Sequence, residues 1–138
     1  MEADEQSPSY RVALQDFRRV QQRAVLEQFL AAIRGLSAEL LSYDKVRKQL
    51  HLTSISGGHL EDIPLNAIVG SVGRYHDFTR SFFPRDPNTL HRWARVKAAV
   101  SEMAGVPPIE VYRVGEAYFV LDGNHRVSVA RELGATHI

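Results

Sequence analysis

The chain has 138 residues, 44% of them hydrophobic, which is enough for one compact core and too few for two independent ones. Charged residues make up 24% and the net charge is +1, so a long-range basic field that binds nucleic acid indiscriminately is excluded. The absence of cysteine excludes disulfides, thiolate nucleophiles and cysteine-held zinc or iron–sulfur clusters, and it fits a cytoplasmic setting.

Residues 1–9 carry Glu2, Asp4 and Glu5 with almost nothing apolar and read as a frayed tail. They do not resemble a secretory signal, and no apolar run approaches the roughly 20 residues that span a bilayer. A helix is expected from Tyr10 to about Arg34, with Leu26, Phe29, Leu30 and Ile33 as its apolar stripe and Gly35 as its stop. A second helix is expected between Ser37 and Leu50, with Leu36, Leu40, Tyr43, Val46 and Leu50 on one face. The two form an N-terminal antiparallel hairpin over residues 10–56. This is the most basic stretch, with eight Lys or Arg against four Asp or Glu between Tyr10 and Leu50. A solvated helix face is the commoner cause of such a balance; contact with DNA or a protein partner, or pairing of the hairpin into a homodimer, is the other reading.

Gly57-Gly58 marks a junction, and the main domain is placed at residues 57–138. Ile63 to Val69 reads as extended, with Pro64 restricting it to an edge or a strand start. Arg74 to Pro84 interleaves Tyr75, Phe78, Phe82 and Phe83 with Arg74, His76, Asp77 and Arg80, as a short helix or an ordered loop. Asn88 or Thr89 caps a helix through Met103 whose apolar face uses Leu90, Trp93, Val96 and Val100; Gly105 and Pro107-Pro108 stop it. Ile109 to Val114 alternates, Gly115-Glu116 is a hairpin turn, and Ala117 to Leu121 returns as a strand. Asn124 to Leu133 is a helix ended by Gly134. The strand that begins at His137-Ile138 has no evident partner, so the domain reads as cut short at that end.

The strand-to-helix turn Asp122-Gly123-Asn124-His125-Arg126 is where chemistry concentrates. Glycine lets the chain reverse within a few residues, so the helix starts almost at the strand end. Its first N–H groups lack intrahelical partners, and with the helix dipole they make an anion site to which His125 and Arg126 can add donors. The alternative is structural: Asp122 caps the helix and Arg126 pairs with a neighbouring carboxylate.

The segments from Ile63-Pro64-Leu65 through Pro107-Pro108-Ile109-Glu110-Val111 to Tyr118-Phe119-Val120-Leu121-Asp122-Gly123-Asn124-His125-Arg126 resemble the ParB N-terminal domain, which shares its fold with sulfiredoxin and a free-serine kinase. The resemblance covers roughly Leu60 to Ile138. It implies an α+β fold with a small mixed sheet and flanking helices, here preceded by the helical hairpin. It also implies that Gly123 and Arg126 sit against nucleotide phosphates, which are those of CTP in ParB, ATP in sulfiredoxin and ADP in the kinase. Asn124 and His125 stand beside them in the same turn. Gly73-Arg74 is similar to the second phosphate-contacting segment, which makes Arg74 a further ligand. Asn124 occupies the place of sulfiredoxin's cysteine, so reduction of a sulfinic acid by that route is excluded.

The expected ligand is thus a nucleoside triphosphate with Mg2+, to which Asp122 or Asp77 can contribute a carboxylate; the scattered histidines form no intrinsic metal motif. Two functions follow from the resemblance. One is a nucleotide-binding module, regulatory or DNA-associated. The other is a small-molecule kinase or nucleotide hydrolase, for which Asp122, His125, Asp77 and Glu110 are the candidate bases by type.

Overall fold

The computed structural model describes residues 5, 7–51, 58–102 and 106–138. The turn at Gly57 and the helix stop at Met103 to Gly105 lie outside the described residues, as does most of the N-terminal tail. The fold is mixed α+β, with four α-helices and one four-stranded mixed sheet among the described residues.

Helix α1 (Pro8–Ile33) starts where Ser7 accepts a hydrogen bond from the Tyr10 amide at 3.1 Å and Pro8 presets the first turn. Its buried stripe is Tyr10, Ala13, Phe17, Val20 and Ala24, not the expected one. Leu26, Phe29 and Ile33 are more than half exposed, and Leu30 is 39% exposed. The partner of α1 is α3 (Leu90–Glu102), whose Ala94, Ala98 and Ala99 meet Tyr10 and Ala13, while Trp93 and Val100 meet Phe17 and Val20. Alanines there let the two backbones approach closely. Lys97 of α3, nearly buried, is held by Asp16 at 2.7 Å and by Glu132. Such a charge is tolerable inside only because both carboxylates neutralise it.

The N-terminal hairpin does not form. Strand β1 (Leu41–Ser42) leads directly into the short helix α2 (Tyr43–Gln49), and β1 joins the sheet beside β2 (Ile68–Ser71). The sheet order is β1-β2-β4-β3, with β1 and β2 parallel, β2 parallel to β4 (Ala117–Asp122), and β3 (Glu110–Val114) antiparallel to β4. The apolar pattern of residues 36–50 misleads because it mixes a strand and a helix that face different neighbours. Tyr43 covers one face of the sheet through Tyr112 and Phe119, at centroid distances of 4.9 and 5.7 Å. Tyr118 and Val120, on alternate positions of β4, face the other way into the cluster of Ile68, Phe78, Phe82 and Val127. Gly70 is required at the centre of the sheet, since a Cβ there would lie 2.3 Å from the Leu41 carbonyl oxygen and 2.7 Å from the Phe119 ring.

Ile63 to Val69 is extended only in part: Leu65–Ala67 is a 3-10 turn before β2, and β2 is interior rather than an edge. His137-Ile138 does have a partner. Ile63 and Ile138 exchange backbone hydrogen bonds of 2.9 and 3.0 Å, and the Leu65 amide donates to Thr136 O at 2.9 Å. The segment from Arg74 to Pro84 is an ordered loop that buries Phe78 and Phe82 completely. Glu27 of α1 ties it down, accepting from Thr79 Oγ1 at 2.6 Å and from the Ser81 amide at 3.2 Å. No helix among the described residues is long and apolar enough to cross a membrane.

Candidate functional site

Strand β4 ends at Asp122 and helix α4 (Asn124–Glu132) begins two residues later. Gly123 makes the turn with φ +112°, and a Cβ there would lie 2.5 Å from Ile109 Cγ2, so both conformation and space demand glycine. The first intrahelical bond runs from the Val127 amide to Gly123 O at 3.0 Å, which leaves the amides of Asn124, His125 and Arg126 ahead of it. Gly123 occupies the N-cap position, and among the described residues no side chain caps the helix; Asp122 accepts from Arg126 instead.

A cleft of about 580 Å³ opens over this helix start. It is lined by Gly73 and Arg74 from the loop after β2, by Arg92, Arg95 and Val96 from α3, and by the turn from Leu121 to Arg126. The expected phosphate ligands Gly123, Asn124, His125, Arg126 and Arg74 therefore all border one space. Arg92 and Arg95 are additional. They lie three residues apart on one helix face, beside the Trp93 and Val96 that the apolar reading of α3 used. Trp93 Nε1 donates to Ser128 Oγ of α4 at 2.9 Å in the buried interior, which joins α3 to α4 beside the cleft.

Each site residue has a distinct local role. Asn124 ties the turn after β4 to the loop after β2: its Nδ2 donates to Gly73 O at 3.3 Å, and its Oδ1 lies 3.0 Å from Ser71 Oγ. Arg126 donates to Asp122 Oδ2 at 2.9 Å and to the Pro108 carbonyl oxygen. The ion pair among the structural alternatives is thus present in an arginine that also borders the cleft. Arg74 adopts φ +54°, a strained backbone for a residue with a side chain, and its Nη1 lies 3.7 Å from Asp77 Oδ2. Arg95 pairs with Glu5 at 3.0 Å, and Arg92 has no ion-pair partner among the described residues.

Comparison of the chain with protein-family models, with curated proteins and with solved structures gives no match in any of the three.

His125 is the most unusual group of the site. It is 6% exposed, its ring packs edge-on to Phe78 at 5.2 Å, and neither ring nitrogen has a hydrogen-bond partner among the described residues. A buried, unpaired polar atom costs about 1–3 kcal/mol, so two in one ring are an appreciable local cost. Burial first, then the charges of Arg92 and Arg74, hold its pKa down to about 4. At neutral pH the ring is uncharged and a weak base.

The carboxylates are less available. Among the described residues Asp122 is the one carboxylate bordering the cleft, and it is engaged by Arg126; Asp77 and Glu110 are not in its lining. Among the described residues no three His, Asp or Glu side chains converge as a metal site. Of the two carboxylates expected to assist Mg2+, Asp122 borders the cleft and Asp77 is not part of its lining, and guanidinium groups are the principal source of positive charge here.

Proposed function

We propose that the cleft binds the phosphate groups of a nucleotide, CTP or ATP, and that the chain is a binding module of the ParB/sulfiredoxin-like kind. The observation that carries this reading is the convergence of Arg74, Arg92, Arg95 and Arg126 on the uncapped start of α4, beside a buried His125 whose ring nitrogens lack partners. Amides at a helix start and guanidinium groups are both donors matched to phosphate oxygens. An anion there would also offer the partner that the His125 ring lacks.

Binding is favoured over phosphoryl transfer by the condition of the candidate bases. Asp122 is held by Arg126, His125 is a weak base, and Asp77 and Glu110 do not border the cleft. The test is calorimetric titration of the full chain with CTP and with ATP, with and without Mg2+, while free phosphate is monitored. Saturable binding without phosphate release is expected, weakened about tenfold or more by Arg74→Gln. Phosphate release at a steady rate would move the protein to the kinase or hydrolase class, and no binding by either nucleotide would overturn the reading.

A further inference from the structure

Pockets that recognise a whole small molecule are lined mainly by apolar and aromatic side chains with a few polar groups to orient it. This cleft has the reverse character. Four arginines border it, its apolar lining is Val96 and Leu121, and among the described residues no Phe, Tyr or Trp side chain lines it. The aromatic rings nearest in sequence are committed elsewhere: Trp93 and Phe119 are buried, and Tyr75 packs against His76 at 4.2 Å. A nucleobase therefore finds no Phe, Tyr or Trp ring among the described residues to stack on, and aromatic stacking is a common way for proteins to hold a base.

The arginines are also more numerous than a single phosphate needs. The α4 amides with Arg74 and Arg126 suffice to surround one phosphate group. Arg92 and Arg95 project from a different helix, which the Trp93–Ser128 hydrogen bond joins to α4; Arg92 carries no ion-pair partner among the described residues, and Arg95 pairs with Glu5, a surface contact that a ligand phosphate would replace. A second charged group on the ligand is what these two side chains can serve.

Building on the phosphate-binding reading above, we infer that the cleft recognises a chain of two or three linked phosphates and leaves the base unread. The ligand class is a polyphosphate group, whether free or carried by a nucleoside. Specificity then resides in the number of phosphates: one end sits on the α4 amides, and the further groups reach Arg92 and Arg95.

The test is calorimetry on the full chain at fixed ionic strength with ATP, CTP, GTP, inorganic tripolyphosphate, pyrophosphate, orthophosphate and AMP. The three nucleoside triphosphates and tripolyphosphate should bind within about threefold of one another, and orthophosphate and AMP at least about tenfold more weakly. Arg92→Gln with Arg95→Gln, both at solvent-reachable positions, should bring tripolyphosphate down toward orthophosphate. One nucleotide binding more than about tenfold tighter than tripolyphosphate would overturn this inference while leaving the phosphate site intact. Equal binding of orthophosphate and tripolyphosphate would also overturn it. No binding by any of the seven would remove the phosphate-binding reading itself.

Discussion

Acidification should destabilise the fold through His125, and the size of the effect follows from its burial. An exposed imidazole takes up its proton near pH 6.5, whereas this ring, 6% exposed and facing Arg92 and Arg74, does so only near 4. Between those values the unfolded chain binds more protons than the folded one, so stability rises with pH in that window. The contribution is complete above about pH 6.5 and is lost as pH falls toward 4. Integrated from pH 7.5 to 4.5, the loss is about 2–3 kcal/mol, at 1.36 kcal/mol per pH unit across most of the interval. Urea unfolding of the wild type and His125→Gln at pH 7.5, 6.5, 5.5 and 4.5 isolates the effect, because carboxylates elsewhere titrate alike in both. The stability difference between the two proteins should change by that amount in favour of the variant as pH falls. Adding tripolyphosphate to the wild type should shrink the change, since negative charge beside the ring favours the imidazolium form. A difference constant to within about 0.5 kcal/mol across the range would refute the assignment of a buried, unpaired imidazole.

Three further outcomes check the architecture around the cleft. Gly123→Ala places a Cβ against Ile109 at a positive φ, and should cost about 3 kcal/mol in denaturant unfolding while weakening phosphate binding. Phe17→Ala should cost about 3–5 kcal/mol, whereas Phe29→Ser, on the exposed part of the same helix, should change monomer stability by less than about 0.5 kcal/mol; equal losses would contradict the burial pattern of α1. Trp93→Phe deletes the donor to Ser128 Oγ in the buried α3–α4 contact and should cost about 1–3 kcal/mol. It should also weaken tripolyphosphate binding through the displaced Arg92 and Arg95, which calorimetry on the same variant would read.

The parts of the molecule legible in the sequence are those whose signals are local. The alternation of Ile109 to Leu121 around Gly115-Glu116 corresponds to β3 and β4, and Leu90 to Glu102 corresponds to α3. In each case a single element presents one face to one neighbour, so its period survives in the residue order. The stripe assigned to α1 went wrong for the opposite reason. Leu26, Phe29 and Ile33 have helical spacing, but α3 lies along the other half of the helix and buries Tyr10, Ala13, Phe17, Val20 and Ala24 instead. Strand β1 left no readable trace because two residues carry no periodicity; what makes it a strand is its pairing with Gly70 and Ser71.

The candidate site divides along the same line. Its turn was determined by sequence alone: Gly123 is the residue that tolerates φ +112° against Ile109, and the start of a helix after it exposes amide groups whatever surrounds them. Tertiary packing decided which charges meet that turn. Arg92 and Arg95 arrive on α3, which the Trp93–Ser128 contact joins to α4, Arg74 arrives on a loop after β2, and His125 is buried with its ring edge-on to Phe78. Backbone conformation depends on a few neighbouring residues, whereas the charge and solvation of a cleft depend on side chains brought together from distant parts of the chain.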